Sequence, residues 1–284
     1  MSTQFLGVVL VLAVLATAMF IPTQDNQAAA GARTAAKWRW GGVLAGAVVG
    51  LIIAGSMGLG RGLLLAAPVF GLGVLLGVVL GELRTPRPVG PVRRAAVETR
   101  SILDYLPKRP AALVGVAGVF ELVLLGWTTS LGSSDDLGRA GRSLTRVCGD
   151  MTTSRSPWLG SFYSVPLGAA VLLGLLLTAI GLWRTAGRPR PVGQAGELVQ
   201  DDADRRRSAT ALTGACGVLI TVPLLGGSFV TAGQLILTPC RADSWKPIAC
   251  VLLVLMVGWF ALFVWSAKAF VAPSGQSRVN RVAV

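Results

Sequence analysis

The stretch AALVGVAGVFELVLLGWTTSL, residues 111 to 131, decides the fold of this protein. Glu121 is its only charged residue, and the remaining residues are mostly aliphatic, aromatic or small. A run of about 20 such residues is long enough for a helix to cross about 30 Å of hydrocarbon. Because backbone groups in lipid must find partners within their own segment, we expect a transmembrane helix here. Its unusual feature is a carboxylate eleven residues into the span.

The composition of the whole chain agrees with a membrane protein. Hydrophobic residues make up 53% of the 284 residues and charged residues 14%, whereas soluble domains have about 25% charged residues. Seven apolar runs, none alternating like a barrel strand, predict an all-α polytopic bundle of seven spans. The runs are Phe5 to Pro22, Gly41 to Gly58, Gly62 to Leu83, Ala111 to Leu131, Tyr163 to Trp183, Thr210 to about Gln234, and Ile248 to Val271.

The first run has two interpretations. Residues Ala16 to Ala18 resemble the small-residue cleavage site of a signal peptide. Residues Met1 to Gln4 carry no positive charge, however, and this favours an uncleaved anchor.

Basic residues between the runs predict the orientation. Three lie just before the second run, seven between residues 84 and 109, six between residues 184 and 207, and three at or beyond the end of the last run, nineteen in total. The alternate loops hold seven. Because basic loops stay in the cytoplasm, we expect the N-terminus outside and the C-terminus inside the cell membrane. The net charge of +13 then indicates anionic lipids at the cytoplasmic face as the partner, and no nucleic acid.

Three loops carry further expectations. In the cytoplasmic loop 84–109, an apolar stripe between Pro91 and Pro107 predicts an interfacial helix, serving either as a docking site for a cytoplasmic partner or as a lipid-held linker. In the extracytoplasmic loop 132–162, Ser134 as N-cap and Gly149 as a stop predict a second short helix. Loop 184–209 is rich in Pro, Gly and charge, which is typical of a flexible segment. The stripe comprises Val92, Ala95, Ala96, Ile102, Leu103 and Leu106.

Glycines at intervals of four predict close helix packing. Small-residue faces let helix backbones approach within a membrane. They are expected either to join the second and third spans to each other or, as the alternative, to join copies of the chain. In the sixth span, Pro223, Gly226 and Gly227 predict a kink. The packing glycines are Gly42, Gly46 and Gly50 in the second span and Gly73, Gly77 and Gly81 in the third.

Chemistry-bearing motifs are sparse. The sequence has no histidine, no Walker or dinucleotide motif and no paired C-x-x-C. We therefore expect no cofactor, no metal and no enzymatic activity. Of the four cysteines, Cys148 and Cys240 fall in predicted outer loops on the oxidising side. They are the expected disulfide pair, with Cys250 as the alternative partner of Cys148.

The segment GELRTPRPVGPVRRAAVETRSILDYLPKR, residues 81 to 109, and the Ala/Gly/Arg/Val-rich character of the chain resemble polytopic membrane proteins of high-GC actinobacteria. These proteins have no assigned activity. The resemblance implies a membrane bundle and transfers no functional residue.

Glu121 is the residue to which any function would be tied. An ionised carboxylate at the bilayer centre costs at least about 2.5 to 3.5 kcal/mol, so the side chain should face the bundle interior and be neutral. Gln234, Thr221 and Thr231 are the expected polar neighbours. Two main functions remain: a non-enzymatic accessory, assembly or sensing component of the membrane, or a small-solute or cation/proton-coupled transporter that uses Glu121. An intramembrane enzyme would need a second catalytic group.

The charge distribution makes a direct prediction about topology. A reporter fused after Arg100 or Gly196 should be active only in the cytoplasm, and one fused after Ser134 only outside, because nineteen of the 26 basic residues lie in one set of loops. An externally accessible tag at residue 196 would contradict this orientation.

Overall fold

A computed structural model describes residues 30–84, 101–188, 195–239 and 242–273 of the chain. Six helices within these residues are long and apolar enough to cross a membrane. They are α1 (Ala30–Ser56), α2 (Arg61–Arg84), α3 (Lys108–Ser130), α4 (Ser161–Ala186), α5 (Ala195–Leu237) and α6 (Trp245–Val271). The first predicted span, Phe5 to Pro22, lies outside the described residues, so the seventh span remains a prediction.

Each of the six helices covers all or nearly all of one predicted apolar run. The agreement is closest for α2, whose two ends each differ from the predicted ends by one residue, and for α6, whose start differs by three residues and whose end is the predicted one. In a helix the backbone N–H and C=O groups pair with each other within the same segment, as an apolar solvent requires. The helices therefore form an all-α bundle of membrane-spanning length.

Helix α5 lies at the centre of the bundle. In its most apolar window 72% of the residues are buried inside the protein, compared with 17% to 44% in the other five helices. Helices α2, α3, α4 and α6 all pack against it. Much of the apolar surface of the outer helices, such as Val254 and Val257 of α6, is exposed, as expected of residues that face lipid.

Helices α1 and α2 form a close glycine-mediated pair. A Cβ atom on Gly42 would lie 2.5 Å from Gly77 Cα and 2.6 Å from the Gly73 carbonyl oxygen, and one on Gly46 would lie 2.8 Å from the Phe70 carbonyl oxygen. Gly50 meets the carbonyl oxygen of Ala66 at 3.1 Å in the same way. Gly81 is buried one turn beyond Gly77. The intramolecular pairing of these two helices is thus present in the structure.

The predicted helix between Ser134 and Gly149 is wrong. The segment forms an antiparallel hairpin of β1 (Leu144–Cys148) and β2 (Met151–Arg155). Its residues include several β-branched side chains that favour strands, and Gly149 adopts φ +58° in the two-residue turn. Asp135 does not begin a helix; it accepts side-chain hydrogen bonds from Arg139 and Arg142, each at 2.7 Å. Those from Arg139 are the main reason that the pKa of Asp135 lies well below its usual range.

One other loop expectation differs from the structure, and a further one is described only in part. Residues 195–209, placed in a flexible loop, are the first turns of α5. In the cytoplasmic loop, the described part of the expected interfacial helix is a single 3-10 turn over Ile102–Asp104, capped by Ser101; residues 85–100 lie outside the described residues. The helical start of α5 comes from contacts made in the folded chain, which are described below.

The α1–α2 contact predicts a position-specific effect of side-chain size. Gly42→Val should destabilise the protein by about 1–3 kcal/mol, because the added methyl groups meet backbone atoms that have no room to move. Gly41→Val is the matched control, since a Cβ there has nothing within 4 Å. Thermal unfolding in detergent should show a lower Tm for the Gly42 variant alone. Equal Tm values for the two variants would contradict the packing.

Candidate functional site

Glu121 lies in the interior of the bundle. Its side chain is 2% exposed, and its Oε2 atom has no hydrogen-bond partner among the described residues. It shares one face of α3 with Val114 and Thr128, because residues seven apart differ by only about 20° around a helix. This face is turned towards α5.

The helix that Glu121 faces carries a continuous polar stripe. At 100° per residue, the hydroxyl side chains of α5 from Thr210 onward fall within a sector about 100° wide, centred near Gly217, whereas Ser208 lies on the opposite side and bonds Glu82. They extend over about 42 Å at 1.5 Å per residue, which is enough to cross the hydrocarbon. All are buried. This α5 hydroxyl stripe consists of Thr210, Thr213, Thr221, Ser228, Thr231 and, just past the helix end, Thr238.

Gly217 shows which helices the stripe faces. A Cβ atom placed on it would lie against Ser266 of α6 and 3.2 Å from Cγ2 of Val114 in α3. One turn further, a Cβ on Gly118 would lie 3.2 Å from Ile220 Cδ1. Helices α3 and α5 therefore run in the same direction, with Val114 level with Gly217.

Helix α6 runs in the opposite direction and brings a tryptophan to the depth of Glu121. Glu121 is seven residues beyond Val114, and Trp259 is seven residues before Ser266, so each lies about 10 Å along the bundle from Gly217. The rings of Phe120 and Trp259 confirm this register, with centroids 5.4 Å apart. Trp259 Nε1 is buried and has no hydrogen-bond partner in the described part of the chain.

The result is a polar column between α3, α5 and α6. It is formed by Glu121 and Thr128 of α3, by Thr221, Ser228 and Thr231 of α5, and by Trp259 and Ser266 of α6. Thr221 lies about 6 Å and Ser228 about 16 Å along α5 from Gly217, so they bracket Glu121. Thr221 donates to the Gly217 carbonyl at 2.7 Å and Thr128 to the Leu124 carbonyl at 2.9 Å. In contrast, Oγ of Ser228, Oγ1 of Thr231 and Oγ of Ser266 have no partner among the described residues.

The predicted neighbours of Glu121 are only partly brought together. Thr221 and Thr231 belong to the stripe, but Gln234 is about 100° from the centre of the stripe around α5 and about 20 Å further along than Thr221. Trp259, Ser266 and Ser228 were not identified from the sequence. The hydroxyl spacing of three and four residues through α5 is visible in the sequence and would have revealed the stripe.

Helix α5 is continuous through the predicted kink region. A single unbroken helix, Ala195–Leu237, includes Pro223, Gly226 and Gly227. The broken helix with freed carbonyls that a solute site in a transporter can use is therefore not present at this position. Polar groups in the bundle interior are supplied by side chains.

A second polar cluster, the Arg205 clasp, joins three helices at the end of the bundle opposite the hairpin. Arg205 is fully buried; it pairs with Asp201 at 2.9 Å and donates to the carbonyls of Thr185, Ala186 and Arg188 at 2.9 to 3.1 Å. These carbonyls lie at the C-terminal end of α4, where helix groups lack partners. Arg205 therefore fixes the start of α5 to the end of α4.

Glu82 extends the clasp to α2. Its carboxylate accepts a hydrogen bond from Ser208 at 2.6 Å and pairs with Arg188. Burial, and secondarily the charge of Arg205, lowers the pKa of Arg188. The Tyr105 hydroxyl bonds Asp202 at 3.2 Å, so the loop before α3 is held as well. These contacts explain why residues 195–209 are helical.

A cavity of about 550 Å³ opens beside the clasp, lined by Ser101, Ile102, Leu103, Trp183, Ala186 and Gly187. Glu121 does not line it, so the polar column is a separate feature. Within the described residues, no group of three or more His, Cys, Asp or Glu side chains could hold a metal ion.

The expected disulfide is only partly described. Cys148 Sγ lies 3.9 Å from the carbonyl oxygen of Pro239, the residue before Cys240, but Cys240 itself lies outside the described residues. Cys216 and Cys250 are free thiols, so the alternative pairing with Cys250 is not formed. The Cys148–Cys240 pair stays a prediction.

The fold and the column define the class: a helical bundle with six helices able to span a membrane and a buried carboxylate at its centre. No family model, curated protein or solved structure matches the chain. Arguments about function therefore rest on the residues of this chain.

The clasp predicts a difference between two neighbouring arginines. Arg205→Lys should cost about 1–3 kcal/mol or more, because one ammonium group cannot replace the guanidinium contacts and leaves buried carbonyls unpaired. Arg207→Lys is the control: its pair with Asp204, at 3.3 Å, is exposed, and the change should stay within about 0.5 kcal/mol. Thermal unfolding in detergent measures both. A silent Arg205 variant would show that the clasp does not hold α5.

Proposed function

We propose that this protein is a non-enzymatic component of the cell membrane with an accessory, assembly or sensing role. The observation that carries the proposal is the enclosure of Glu121, which is 2% exposed at the centre of a packed bundle. The other charged residues of the bundle are concentrated at its two ends. A bundle built this way offers its ends, rather than an internal active site, to other molecules.

We further propose the orientation. The hairpin end lies outside the cell and the Arg205 clasp lies in the cytoplasm, with a seventh span at residues 5–22 placing the N-terminus outside. The support is the excess of basic residues in the loops at the clasp end. Exposed Lys108, Arg109 and Arg184 at this end would meet anionic lipid head groups.

The second candidate is a small-solute or cation/proton-coupled transporter. A specific observation favours it: Glu121 Oε2 has no partner among the described residues and faces a hydroxyl stripe that is long enough to reach both membrane surfaces. Intramembrane carboxylates with such neighbours are typical of proton relays. Against it stands the absence of a helix break in α5 between residues 195 and 237.

Substitutions at Glu121 separate the two functions. For an accessory role, Glu121→Gln should keep near-wild-type Tm, expression and cellular phenotype, since it preserves shape and most hydrogen bonds. Glu121→Ala should lose about 2–4 kcal/mol from the cavity and the unpaired neighbours. Thermal unfolding and complementation of a deletion strain measure these effects.

The transporter makes the opposite prediction for the same variants. Glu121→Gln would be folded but inactive in complementation, and Glu121→Asp would restore part of the activity because it restores the titratable proton. That pattern, together with proton uptake by proteoliposomes containing wild-type protein, would overturn the accessory role.

A further inference from the structure

We infer that the polar column between α3, α5 and α6 is a binding site for water and for one exchangeable proton, which is held by Glu121. The inference goes beyond the proposed function, since it assigns a ligand to the bundle interior whichever role the protein has. It rests on buried polar atoms that have no hydrogen-bond partner among the described residues.

The number of unpaired atoms is the first argument. Five buried side-chain atoms of the column lack partners among the described residues: Glu121 Oε2, Ser228 Oγ, Thr231 Oγ1, Trp259 Nε1 and Ser266 Oγ. Each such group costs about 1–3 kcal/mol if it stays dry. Five of them would cost about 5–15 kcal/mol, which equals the whole stability of a typical folded protein. Partners for these atoms would therefore contribute substantially to the stability of the bundle.

Water is the partner that fits these atoms. A buried water makes two to four hydrogen bonds to polar groups that are otherwise unsatisfied. The hydroxyls can accept or donate, the indole N–H only donates, and a protonated carboxyl group donates through its O–H and accepts at its other oxygen. Because Trp259 and Glu121 lie at the same depth, a water between them could accept from the indole and donate to Oε2. The hydroxyls of Thr221 and Ser228, one on each side of Glu121 along α5, continue the chain of donors and acceptors.

The lack of nearby charge is the argument for a proton. Residues 112–130 of α3, 209–237 of α5 and 247–267 of α6 contain no charged residue other than Glu121. Cys216 and Cys250 are the other titratable groups in these segments, and both are free thiols. An ionised Glu121 would thus be an unpaired charge near the bilayer centre. Taking a proton from hydronium converts the carboxylate to a carboxylic acid, releases one water and removes the charge.

A metal cation fits the column less well. Trp259 presents an N–H donor at the depth of the carboxylate, and a donor offers no lone pair to a cation. One carboxylate and scattered hydroxyls also supply fewer oxygens than the six to eight that calcium takes. A bound cation is therefore one of the outcomes that would overturn the proposal.

Infrared spectroscopy of the full-length protein in lipid vesicles tests the inference. At neutral pH the wild-type protein should show a carboxylic acid C=O band that is lost in Glu121→Gln and shifted in Glu121→Asp. Glu82→Gln should keep the band, since Glu82 is paired with Arg188. On transfer to D2O the band should shift promptly, because water in the column carries the exchange.

A matched pair of variants tests the role of the hydroxyl stripe. Thr231→Val keeps the side-chain shape but removes an unpartnered hydroxyl of the column, so it should slow the D2O shift several-fold. Thr178→Val makes the same change in α4, where the hydroxyl is bonded to the Gly174 carbonyl, and should leave the shift unchanged. Both comparisons are made on the Glu121 band.

Three results would overturn the inference. The Glu121 band is absent at neutral pH, it is present but does not shift after prolonged exposure to D2O, or it disappears when sodium, potassium or calcium is added at constant pH. These three results test only whether Glu121 holds a proton and contacts water. The biological role is tested separately, by the complementation experiment with Glu121→Gln.

Discussion

The constraint on which the structure depends is the scarcity of hydrogen-bond partners inside a membrane. Within a helix most backbone groups pair with each other, and the polar side chains and the helix ends need other partners. The hydroxyls of Thr213 and Thr221 meet this demand by bonding the carbonyl four residues earlier. Oε2 of Glu121, in contrast, has no hydrogen-bond partner within the described residues. Its position in the α3–α5–α6 column, next to the most buried helix, follows from this demand.

At each end of the bundle, a buried side chain forms hydrogen bonds with other protein groups. At the hairpin end, fully buried Trp158 donates to the Thr128 carbonyl at 2.7 Å and fixes the hairpin to the last turn of α3. At the other end, Arg205 pairs with Asp201 and with the carbonyls that end α4. In the middle of the bundle, by contrast, the five unpartnered atoms of the column lie within the apolar spans. Their position away from the charged ends is what makes the centre of the bundle the place to look for a ligand.

The sequence predicts the spans well because their length and apolarity respond to a solvent that acts on each segment alone. The six described helices match the six predicted runs from Gly41 onward to within a few residues, apart from the longer starts of α1 and α5. The hairpin was missed because a strand needs a partner strand, and the helix signals at Ser134 and Gly149 are local. Residues 195–209 looked unstructured since their charges are stabilised by α2, α4 and Tyr105, which are distant in sequence.

The site was predictable only in part, for a related reason. Glu121 stands out as the one charge in its run, so its burial could be expected. Trp259 and Ser266 carry no such signal, because their depth relative to Glu121 depends on the antiparallel register of α6. The hydroxyl stripe of α5 could have been predicted from the angular position of each Thr and Ser around the helix. Counting apolar residues along a span does not give that position.

The most direct test of this account is an experimental structure of the full-length protein in lipid, at a resolution that shows ordered water. The account predicts that the Glu121 carboxyl group faces the α5 stripe at the depth of Trp259, with water density within hydrogen-bonding distance of Oε2 and of the indole nitrogen. A Glu121 side chain that points to lipid, or that pairs with a lysine or arginine, would contradict it.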